Sequence, residues 1–584
     1  MPANSVVFGA GGFIGRSLVS ELLRRGQEVA AAVHGSGDRL LEWLADQQVD
    51  TGRLTVVPSD ITRPGLGLPE HGLDDVRDVY NTAARFAFGM SPAEARAVNV
   101  EGAVHVVEWA AALPRLRRVV HISGYRMAAA EASSPDYRRD GAYEASKREG
   151  DAAVRARAHA LGVPLTVANP STVIGPGQSV GLADLVGELW RGRLVALPGG
   201  PDIFLPVVGL DYFVQFLASV PERRESANGT YWLLDDATPT LPRLVALLAE
   251  HMGVRAPRRF VPVGVVKRLP RALTRADPET LSFLSTDRYD TAPSRRLADS
   301  VGLEMPPVRE ALRAWADELV ATRFGRVRAP RAAYGFHQVG TDRTWVVGER
   351  ERPGYVFLHG LPVNADSWSP VADRVDAPFL AADLPGFGRS ARARQSHDAW
   401  LAALLAPVRG RPVLVAHSYS CGPALRFALR HPERVGALVL VSPAFLQPAS
   451  SWLTRSPLAV PALRGMTAER LAGSLGVPHE GHLDGPVDDL RRAGAALRVV
   501  AALRSAYGQR AALRSALRRV TSTVGTVELV IGSLDQLEEP SHLPVTEIAS
   551  AGHYPQLTHP EDVARHLVAV RERSGGGAPP VTRG

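Results

Sequence analysis

The sequence predicts an α/β protein in which two parallel-sheet domains follow one another. Apolar, strand-like runs alternate with segments of helical period in both halves of the chain, which is the pattern of parallel sheets covered by helices on both faces. A glycine-rich loop follows the first apolar run, and a sharp turn at Ser418 follows an apolar run in the second half. The 584 residues, 45% of them apolar, suffice for about two to four ordinary domain cores.

The first half has the strand, loop and helix order of a doubly wound sheet. The apolar run 6–8 precedes the glycine loop, and apolar residues from Leu18 to Leu23 then recur at helical spacing until Gly26. A last helix of this half is expected within 301–318. Five further runs predict strands, at 28–33, 54–57, 79–81, 118–122 and 165–168.

A charged segment divides the chain. Residues 323–333 contain Gly325 and Pro330 and are the expected linker. The first domain is therefore expected at 1–322, with its substrate part mainly at 170–320, and the second at 334–573. Within the second domain a helical insertion at about 443–525 is expected to cap the site, and the tail 574–584 is expected to be disordered.

Composition excludes several classes of protein. The net charge is +7, but lysine occurs only at 147 and 267, and no basic stripe with interleaved aromatic residues is present, so we expect no nucleic-acid partner. Cys421 is the single cysteine, which excludes an intrachain disulfide. The chain shows neither a signal-peptide pattern nor an uncharged run of membrane-spanning length. We therefore expect a cytoplasmic protein without membrane insertion that acts on small molecules.

The glycine loop has the residues that a dinucleotide pyrophosphate requires. Gly9 permits the tight turn after the strand, and Gly12 lets the backbone approach the phosphates. Gly15 allows the following helix to pack on the strand, while the N-terminal N–H groups of that helix face the anion. The spacing alone is a weak signal, but here a predicted strand precedes it and a predicted helix follows it.

Further motifs then appear in a recognisable order: Ser59-Asp60, 81–84 (Asn-Thr-Ala-Ala), 99–102 (Asn-Val-Glu-Gly), Tyr143 with Lys147, 169–177 and 198–200 (Pro-Gly-Gly). Over residues 5–320 the chain resembles the extended short-chain dehydrogenase/reductase family, which includes NAD-dependent epimerases and dehydratases. The resemblance implies a Rossmann-type fold, and a homodimer formed through the helices that hold Asn99 and Tyr143. It also implies cofactor contacts at Gly9, Gly12, Phe13, Ile14, Gly15, His34, Arg39, Asp60, Ile61, Ala83, Ala84, Asn99, Lys147 and Pro170.

Tyr143 and Lys147 are the predicted acid/base pair of the first domain. Four residues apart, they lie on one face of a helix. A neighbouring ammonium is expected to lower the pKa of the phenol, which then exchanges a proton with an alcohol or ketone while the nicotinamide exchanges a hydride. The family usually has two adjacent hydroxyl residues before this helix, whereas here Gly124 follows Ser123. Either Ser123 serves as the third catalytic residue, or reductase activity is weak or altered.

The end of the second predicted strand bears on the choice of cofactor. An acidic residue there would bind the ribose 2′-hydroxyl of NAD, whereas a nearby arginine would accept the 2′-phosphate of NADP. The chain has no acid at this position but has His34 and, a few residues later, Arg39. These residues favour NADP over NAD.

The second half has the pattern of a serine nucleophile. An apolar strand runs into the turn at Ser418, with the small residues Ala416 and Ser420 two positions before and after it, as a nucleophile elbow requires. Asp535 and His553 each follow a strand-like run, in the chain order Ser, Asp, His. We expect them to act as nucleophile, orienting acid and base, and no metal ligand set is expected.

Residues 334–572 resemble the alpha/beta-hydrolase superfamily, with matching loops at 357–362 and 383–390. The resemblance implies an oxyanion hole formed by the backbone N–H groups of Leu361 and Tyr419. The apolar, arginine-rich insertion hints at a hydrophobic ester or thioester substrate. Three readings of the whole chain stay open: a bifunctional enzyme, a chain with one working site, and an NADP-binding sensor.

Overall fold

The computed structural model describes residues 3–68, 72–85, 90–127, 135–138, 141–266, 268, 281, 284–448, 452–478, 483–538, 540 and 542–575. Two compact units make up the chain. The first comprises Met1–Asp184, Val195–Leu247 and Pro257–Trp315, and the second comprises Leu185–Leu194, Leu248–Ala256 and Ala316–Gly584.

A seven-stranded parallel sheet forms the centre of the first unit, in the order β10-β6-β5-β4-β1-β2-β3. Strands β1, β2, β4 and β5 are buried along their whole length, as expected for a parallel sheet covered on both faces. The strand order reverses between β1 and β4, because the chain builds the sheet outward from β1 to β3 on one side and from β4 on the other, and ligands bind at such a switch point. The strands are β1 Ser5–Phe8, β2 Val29–Val33, β3 Leu54–Pro58, β4 Asp78–Asn81, β5 Arg118–Ile122, β6 Leu165–Pro170 and β10 Thr230–Leu233.

Two small parallel pairs, β7 with β9 and β8 with β11, accompany this sheet; they are β7 Thr172–Ile174, β8 Ala196–Pro198, β9 Val207–Gly209 and β11 Arg259–Val261. A π-helical turn spans Ala97–Gly102. The α-helices up to residue 321 are Phe13–Arg24, Asp38–Asp46, Pro92–Arg96, Ala103–Ala111, Ala142–Leu161, Leu182–Trp190, Leu210–Ser219, Leu241–Met252, Val263–Val266, Ala292–Ser300 and Val308–Ala321.

An eight-stranded mixed sheet forms the centre of the second unit, in the order β12-β13-β15-β14-β16-β17-β18-β19. β13 runs antiparallel to β12 and β15, and the other neighbours are parallel. The carboxyl ends of β14, β16, β18 and β19 therefore meet at one edge. The strands are β12 Tyr334–Val339, β13 Asp342–Gly348, β14 Tyr355–Leu358, β15 Phe379–Ala382, β16 Val413–His417, β17 Ala437–Val441, β18 Val527–Gly532 and β19 Val545–Ile548.

Helices of the second half cover this sheet and fill the interval between β17 and β18. Of the described α-helices of this half outside that interval, three come before β17 and two come after β19. They are Ser369–Ala372, His397–Leu405, Cys421–Arg430, Pro555–Thr558 and Pro560–Arg573. Those described between β17 and β18 are Val460–Arg464, Ala468–Leu475, Asp484–Arg491, Ala495–Gly508 and Arg510–Val520.

The predicted fold class is confirmed: both sheets are of the α/β type, and they belong to separate units. Element bounds differ from the sequence prediction by small amounts. The first helix ends at Arg24, and the helix expected within 301–318 is Val308–Ala321. From residue 576 onward the predicted tail lies outside the described residues. Among the helices that the structure describes, none is long and apolar enough to cross a membrane.

Candidate active sites

The glycine loop is held so tightly that side chains cannot be added at two of its positions. A Cβ atom on Gly15 would lie 2.1 Å from the Gly9 carbonyl oxygen, and one on Gly9 would lie 2.7 Å from Ala83 Cα. Gly9 also has a φ of +76°, which glycine tolerates best. The helix Phe13–Arg24 starts directly after Gly12, where a Cβ atom would lie 3.2 Å from the Gly9 carbonyl oxygen. These features fit the pyrophosphate of a dinucleotide at the helix N-terminus.

The residues predicted to meet the adenosine end lie at the carboxyl edges of β2 and β3. His34 and Arg39 are exposed there. Asp60 is already engaged within its own loop, because it accepts hydrogen bonds from the backbone N and the hydroxyl of Thr62, at 3.1 and 2.6 Å, and pairs with Arg63 at 3.1 Å. The hydrogen bond from the Thr62 hydroxyl is the largest effect lowering the pKa of the Asp60 carboxyl.

Asn99, a predicted cofactor residue, connects three segments of the first unit. It lies in the π-helical turn, where its Nδ2 donates to Ser146 Oγ at 2.9 Å and its Oδ1 accepts from Arg85 N at 2.9 Å. Ser146 Oγ in turn donates to the Tyr143 carbonyl oxygen at 2.9 Å. Asn99 therefore fixes the start of the helix that holds Tyr143 and Lys147. The remaining predicted cofactor residues Phe13, Ile14, Ile61, Ala83, Ala84 and Pro170 lie at the ends of β1, β3, β4 and β6.

Tyr143 and Lys147 share the helix Ala142–Leu161, as predicted, but their electrostatics differ from the expectation. Burial, reinforced by the neighbouring Glu144 carboxylate, raises the pKa of Tyr143. The prediction that Lys147 lowers the pKa of Tyr143 is therefore wrong. Lys147 is buried and its Nζ donates to the Ile122 carbonyl oxygen at 3.0 Å, and burial lowers its pKa to about 8. The lysine can thus exchange a proton near neutral pH.

Several buried polar atoms next to this pair have no hydrogen-bond partner among the described residues. They are the hydroxyl of Ser123 and both amide atoms of Asn169, at the carboxyl ends of β5 and β6. Unpaired buried polar groups are costly, so their presence at one sheet edge fits polar groups of a bound ligand. A side chain at Gly124, beside Ser123, would meet the flexible end of Met127, whose Cε lies 2.9 Å from the position of a Cβ atom.

Ser418 lies at a sharp turn after β16. Its φ is +52°, a left-handed conformation that is strained for a residue with a side chain. Ser420 stabilises the turn, because its hydroxyl accepts from His417 N at 3.1 Å and contacts the Leu358 carbonyl oxygen at 2.9 Å. The strand neighbour Gly360 must lack a side chain, because a Cβ there would lie 2.9 Å from Ser418 Cβ.

The structure brings Ser418, His553 and Asp535 together. His553 Nε2 lies 2.9 Å from Ser418 Oγ, and His553 Nδ1 lies 2.9 Å from Asp535 Oδ2. Ser418 is buried to 6% exposure, and the side chains of His553 and Asp535 are 19% and 6% exposed. Burial is the largest single effect and opposes ionisation of Asp535, but the hydrogen bonds to its carboxyl and the attraction to His553 together outweigh burial, and the pKa of the carboxyl is lowered.

The loop that contains Leu361 is fixed on both sides. The Tyr554 hydroxyl donates to the Leu361 carbonyl oxygen at 3.1 Å. His359 is fully buried, with Nδ1 2.7 Å from the Gly360 carbonyl oxygen and Nε2 accepting from Leu384 N at 2.9 Å. These contacts make Nδ1 the protonated nitrogen, in agreement with the lowering of its pKa by burial. Tyr419, the other residue predicted to stabilise an oxyanion, directly follows Ser418.

A buried carboxylate joins the same loop to the next one. Asp383 accepts from Ala365 N at 2.7 Å and from the backbone and guanidinium N–H groups of Arg389 at 2.7 and 2.8 Å. Arg389 is 1% exposed and also pairs with Asp366 at 2.7 Å. Burial alone would raise the pKa of Asp383, but Arg389 outweighs it and holds the value at about 2.

Sequence reasoning missed two contacts of His553. His417 Nε2 lies 2.8 Å from the His553 carbonyl oxygen, and burial lowers the pKa of His417 to about 3, so its ring is neutral. Gln447 reaches both His553 and Asp535 from the segment after β17. His417 directly precedes Ser418, so the sequence could have identified it as a site residue, whereas no motif distinguishes Gln447.

Two further features concern the reactivity of the Cys421 thiol and the possibility of a metal site. Cys421 is buried, its thiol donates to the Ala416 carbonyl oxygen at 3.1 Å, and burial raises its pKa well above the usual value. A reactive thiolate is therefore disfavoured at this position. Within the described ranges, no group of three or more His, Cys, Asp or Glu side chains is arranged to hold a metal ion.

Comparison with known families agrees with both halves of the structure. Residues 7–215 match the NAD-binding family model described as male sterility protein, and residues 355–566 match the model of the alpha/beta hydrolase family. The chain therefore joins an NAD-binding domain of the extended short-chain dehydrogenase/reductase type to an alpha/beta-hydrolase domain.

Individual relatives cover only parts of the chain. Esterase Rv0045c of Mycobacterium tuberculosis is 39% identical over 104 residues, 16% of this chain and 35% of the relative. The pimeloyl-acyl-carrier-protein methyl ester esterase of Citrobacter koseri is 38% identical over 95 residues, 15% of this chain and 37% of the relative. The alignments thus span about a third of these curated relatives. Among solved structures, the terminal R domain from the myxalamid PKS-NRPS biosynthetic pathway aligns at 19% identity and a TM-score of 0.46, covering 57% of this chain and 93% of that one.

The packing of the glycine loop predicts a selective effect of two alanine substitutions. Gly15→Ala should abolish NAD(P)H binding, measured by tryptophan fluorescence quenching, because its methyl group would collide with the Gly9 carbonyl. Gly11→Ala is the matched control, since nothing lies within 4 Å of a Cβ there. Equal affinities for the two variants would contradict the proposed place of the pyrophosphate.

The buried pair of Asp383 and Arg389 predicts a pH-dependent loss of stability. Asp383→Asn removes the buried charge partner of Arg389 and leaves the guanidinium with the partly exposed Asp366, which should cost about 3 kcal/mol and lower Tm by roughly 10 °C at pH 7. The folded pKa of about 2 lies below the ordinary value near 3.8, so the carboxylate stabilises the fold above pH 4 and loses this effect as the pH falls toward 2. The Tm difference from wild type should narrow over that interval.

The control for this effect is the exposed pair of Asp562 and Arg565. Asp562→Asn should change Tm little at any pH, since exposed ion pairs contribute about 0–1 kcal/mol. A constant Tm difference for Asp383→Asn between pH 7 and pH 2.5 would show that the charge of Asp383 is not what stabilises the loops.

Proposed function

We propose that the chain is a bifunctional enzyme that couples an NAD(P)-dependent oxidoreductase with a serine hydrolase. The observation that carries the proposal is the hydrogen-bonded chain from Ser418 through His553 to Asp535, next to a backbone loop suited to an oxyanion. For domain limits we propose 1–322 and 334–573, with the cap at about 443–525.

Ser418 is the proposed nucleophile. Its Oγ attacks an acyl carbonyl carbon while its proton passes to His553 Nε2, and the resulting imidazolium is stabilised by Asp535 through Nδ1–H. Backbone N–H groups of Leu361 and Tyr419 receive the oxyanion. His553 then protonates the leaving alkoxide or thiolate, and water repeats the sequence to release the acid and return the proton to Ser418.

The proposed hydrolase substrate is an ester or thioester with an apolar acyl or alcohol part. Helices of the cap contribute apolar side chains to the same core as Phe387 and Phe445, among them Ala496 and Val499. Tyr419, next to the nucleophile, packs edge-on against Phe387. Two of the curated relatives are esterases by name, which supports ester hydrolysis as the class of reaction.

A fluorophosphonate probe tests the nucleophile. Wild-type protein should be labelled and Ser418→Ala should not, as read by intact mass, because the probe phosphonylates only an activated serine. Cys421→Ala is the matched control and should keep full labelling, since its thiol is buried. Labelling that persists in Ser418→Ala would refute the nucleophile assignment.

The first domain is proposed to interconvert a hydroxyl and a carbonyl group. NAD(P), when bound, supplies or accepts the hydride. Ser123 and Tyr143 would hold the substrate oxygen, Tyr143 would give or take its proton, and Lys147, with its pKa of about 8, would then exchange a proton with Tyr143 to restore the phenol. The raised pKa of Tyr143 favours the neutral phenol, which suits proton donation to a carbonyl and hence the reductive direction.

The proposed cofactor is NADP in preference to NAD. His34 and Arg39 are exposed at the end of β2, and no acidic residue of that strand end competes with a 2′-phosphate. The tightly packed glycine loop and the unpaired atoms of Ser123 and Asn169 agree with a dinucleotide that runs across the switch point between β1 and β4.

Substitution of Tyr143 tests the reductase half. Tyr143→Phe should lower turnover by about 10²–10⁴-fold, the usual contribution of a general acid, and leave NADPH binding intact. Turnover is read as NADPH oxidation against a panel of aldehydes and ketones, and binding as tryptophan quenching. Tyr137→Phe, whose hydroxyl instead meets Glu149, is the matched control and should keep turnover.

The same assay separates the enzyme from its alternatives. A sensor would bind NADPH but oxidise none of it in wild type. If Gly124 is what limits catalysis, Gly124→Ser should raise turnover, because the added side chain meets only Met127 Cε. Unchanged turnover in Tyr143→Phe would refute Tyr143 as the acid.

A further inference from the structure

A buried ion pair joins the segment before β12 to a helix of the proposed cap. Arg323 donates to both carboxylate oxygens of Asp489 in the helix Asp484–Arg491, with Nη1 2.6 Å from Oδ1 and Nη2 3.2 Å from Oδ2. Each of the two side chains is 7% exposed, and both residues belong to the second unit. Neither proposed domain range, 1–322 or 334–573, includes Arg323, although its side chain is buried among hydrolase residues.

Asp489 also binds the loop after β14. Its Oδ2 accepts from Asn364 Nδ2 at 2.8 Å. Asn364 in turn caps the 3₁₀ turn Ala365–Trp368, because its Oδ1 accepts from Asp366 N at 3.1 Å. Leu361, whose N–H group is proposed to receive the oxyanion, lies three residues before Asn364. The contacts of the ion pair therefore end three residues from the proposed oxyanion hole.

Two further contacts hold the same helix and loop together. Arg323 Nη2 lies 3.6 Å from Asp366 Oδ2, so the guanidinium reaches the loop directly as well. Val363 of the loop shares a hydrophobic cluster with Leu483 and Val487 of the cap. Apolar packing has no preferred direction, whereas a guanidinium that meets both oxygens of a carboxylate fixes the orientation of its partner. The ion pair is therefore the contact that sets the orientation of the helix.

The backbone at Arg323 is strained where this contact forms. Its φ is +52° and that of Phe324 is +59°, which are left-handed values that residues with side chains rarely adopt. Such strain persists only where the surrounding contacts hold the chain in place. On the other side of the pair, Gly485 lets the guanidinium approach the helix, because a Cβ atom there would lie 2.8 Å from Arg323 Nη2.

We infer that Arg323 is a positioning residue for the hydrolase site, which holds the helix Asp484–Arg491 and the loop after β14 in one arrangement. This inference rests on the proposed hydrolase function. Without the guanidinium, Asp489 would keep the Asn364 amide as its one side-chain donor among the described residues. The buried Arg492 attracts the same carboxylate, so Asp489 would shift toward that charge and away from Asn364.

The neighbouring ion pair does not replace this contact. Arg326 pairs with Asp488 of the same helix, but the two side chains are 54% and 22% exposed. Exposed pairs are screened by water and contribute little. Arg323 is thus the cation of this segment that acts from inside the hydrolase unit.

Ester hydrolysis by the full chain tests the role of Arg323, with p-nitrophenyl butyrate as substrate and at a temperature well below the Tm of each variant. Arg323→Met should lower kcat roughly 10- to 100-fold and change KM less, because an oxyanion donor that is displaced by about 1 Å no longer stabilises the transition state. Arg323→Lys keeps the charge but not the two parallel N–H bonds, so its kcat should lie in between. Arg331→Met, an exposed arginine of the same segment, is the matched control and should change neither constant.

A second substitution tests whether the two charges act as one unit. Asp489→Asn added to Arg323→Met should restore much of kcat, because it removes the lone buried carboxylate while its amide oxygen can still accept from Asn364. Losses that multiply in the double variant, or a wild-type kcat in Arg323→Met, would overturn the inference.

Hydrogen exchange of backbone amides gives a readout that does not depend on activity. In Arg323→Met, residues 484–491 and 361–368 should exchange roughly 10-fold faster or more, since a charged hydrogen bond that restrains both is lost, while the helix Pro560–Arg573 should not change. Unchanged exchange in the first two segments would also overturn the inference. Fluorophosphonate labelling that survives in Ser418→Ala would instead refute the hydrolase function, so the two failures are distinguishable.

Discussion

The carboxylate of Asp383 is the contact on which the geometry around Ser418 depends. It lies at the end of β15 and binds the turn after β14 through Ala365, while Arg389 closes the loop that follows β15. Because the charges of Asp383 and Arg389 are buried together, neither side chain can leave without exposing an unpaired charge to the interior. The turn after β14 is thus held in place by the fold itself.

The two candidate sites differ in how complete they are without a ligand. In the hydrolase half Ser418, His553 and Asp535 are already hydrogen-bonded to one another, so these three side chains are positioned by the fold. In the reductase half Ser123 and Asn169 present unsatisfied polar atoms, and Lys147 has a lowered pKa. A site of this kind acquires its final hydrogen bonds from what binds there, and its proton affinities are expected to change on binding.

Motifs tied to backbone geometry were predictable from the sequence, and those tied to side-chain packing were not. Gly9, Gly15 and the turn at Ser418 are constrained by close backbone approach, which restricts residue type at fixed spacing. The two sheets followed from buried apolar runs of strand length. The raised pKa of Tyr143 depends on burial by distant segments, which no local pattern encodes. Gln447 lies in the long segment between β17 and β18, where no motif relates its position to that of His553, so their contact could not be predicted from spacing.

The serine at position 420 has a consequence for how such chains are recognised. The tight turn demands a small residue, and the hydroxyl of Ser420 adds a tie from the turn to the neighbouring strand β14 at Leu358. Glycine would fit the same space but would leave that carbonyl oxygen without this partner and give the unfolded chain more freedom. The turn therefore requires a small side chain and does not require glycine itself. A sequence search that demands glycine two positions before and after the serine would miss this turn, although the Ser420 hydroxyl gives it a hydrogen bond that glycine could not make.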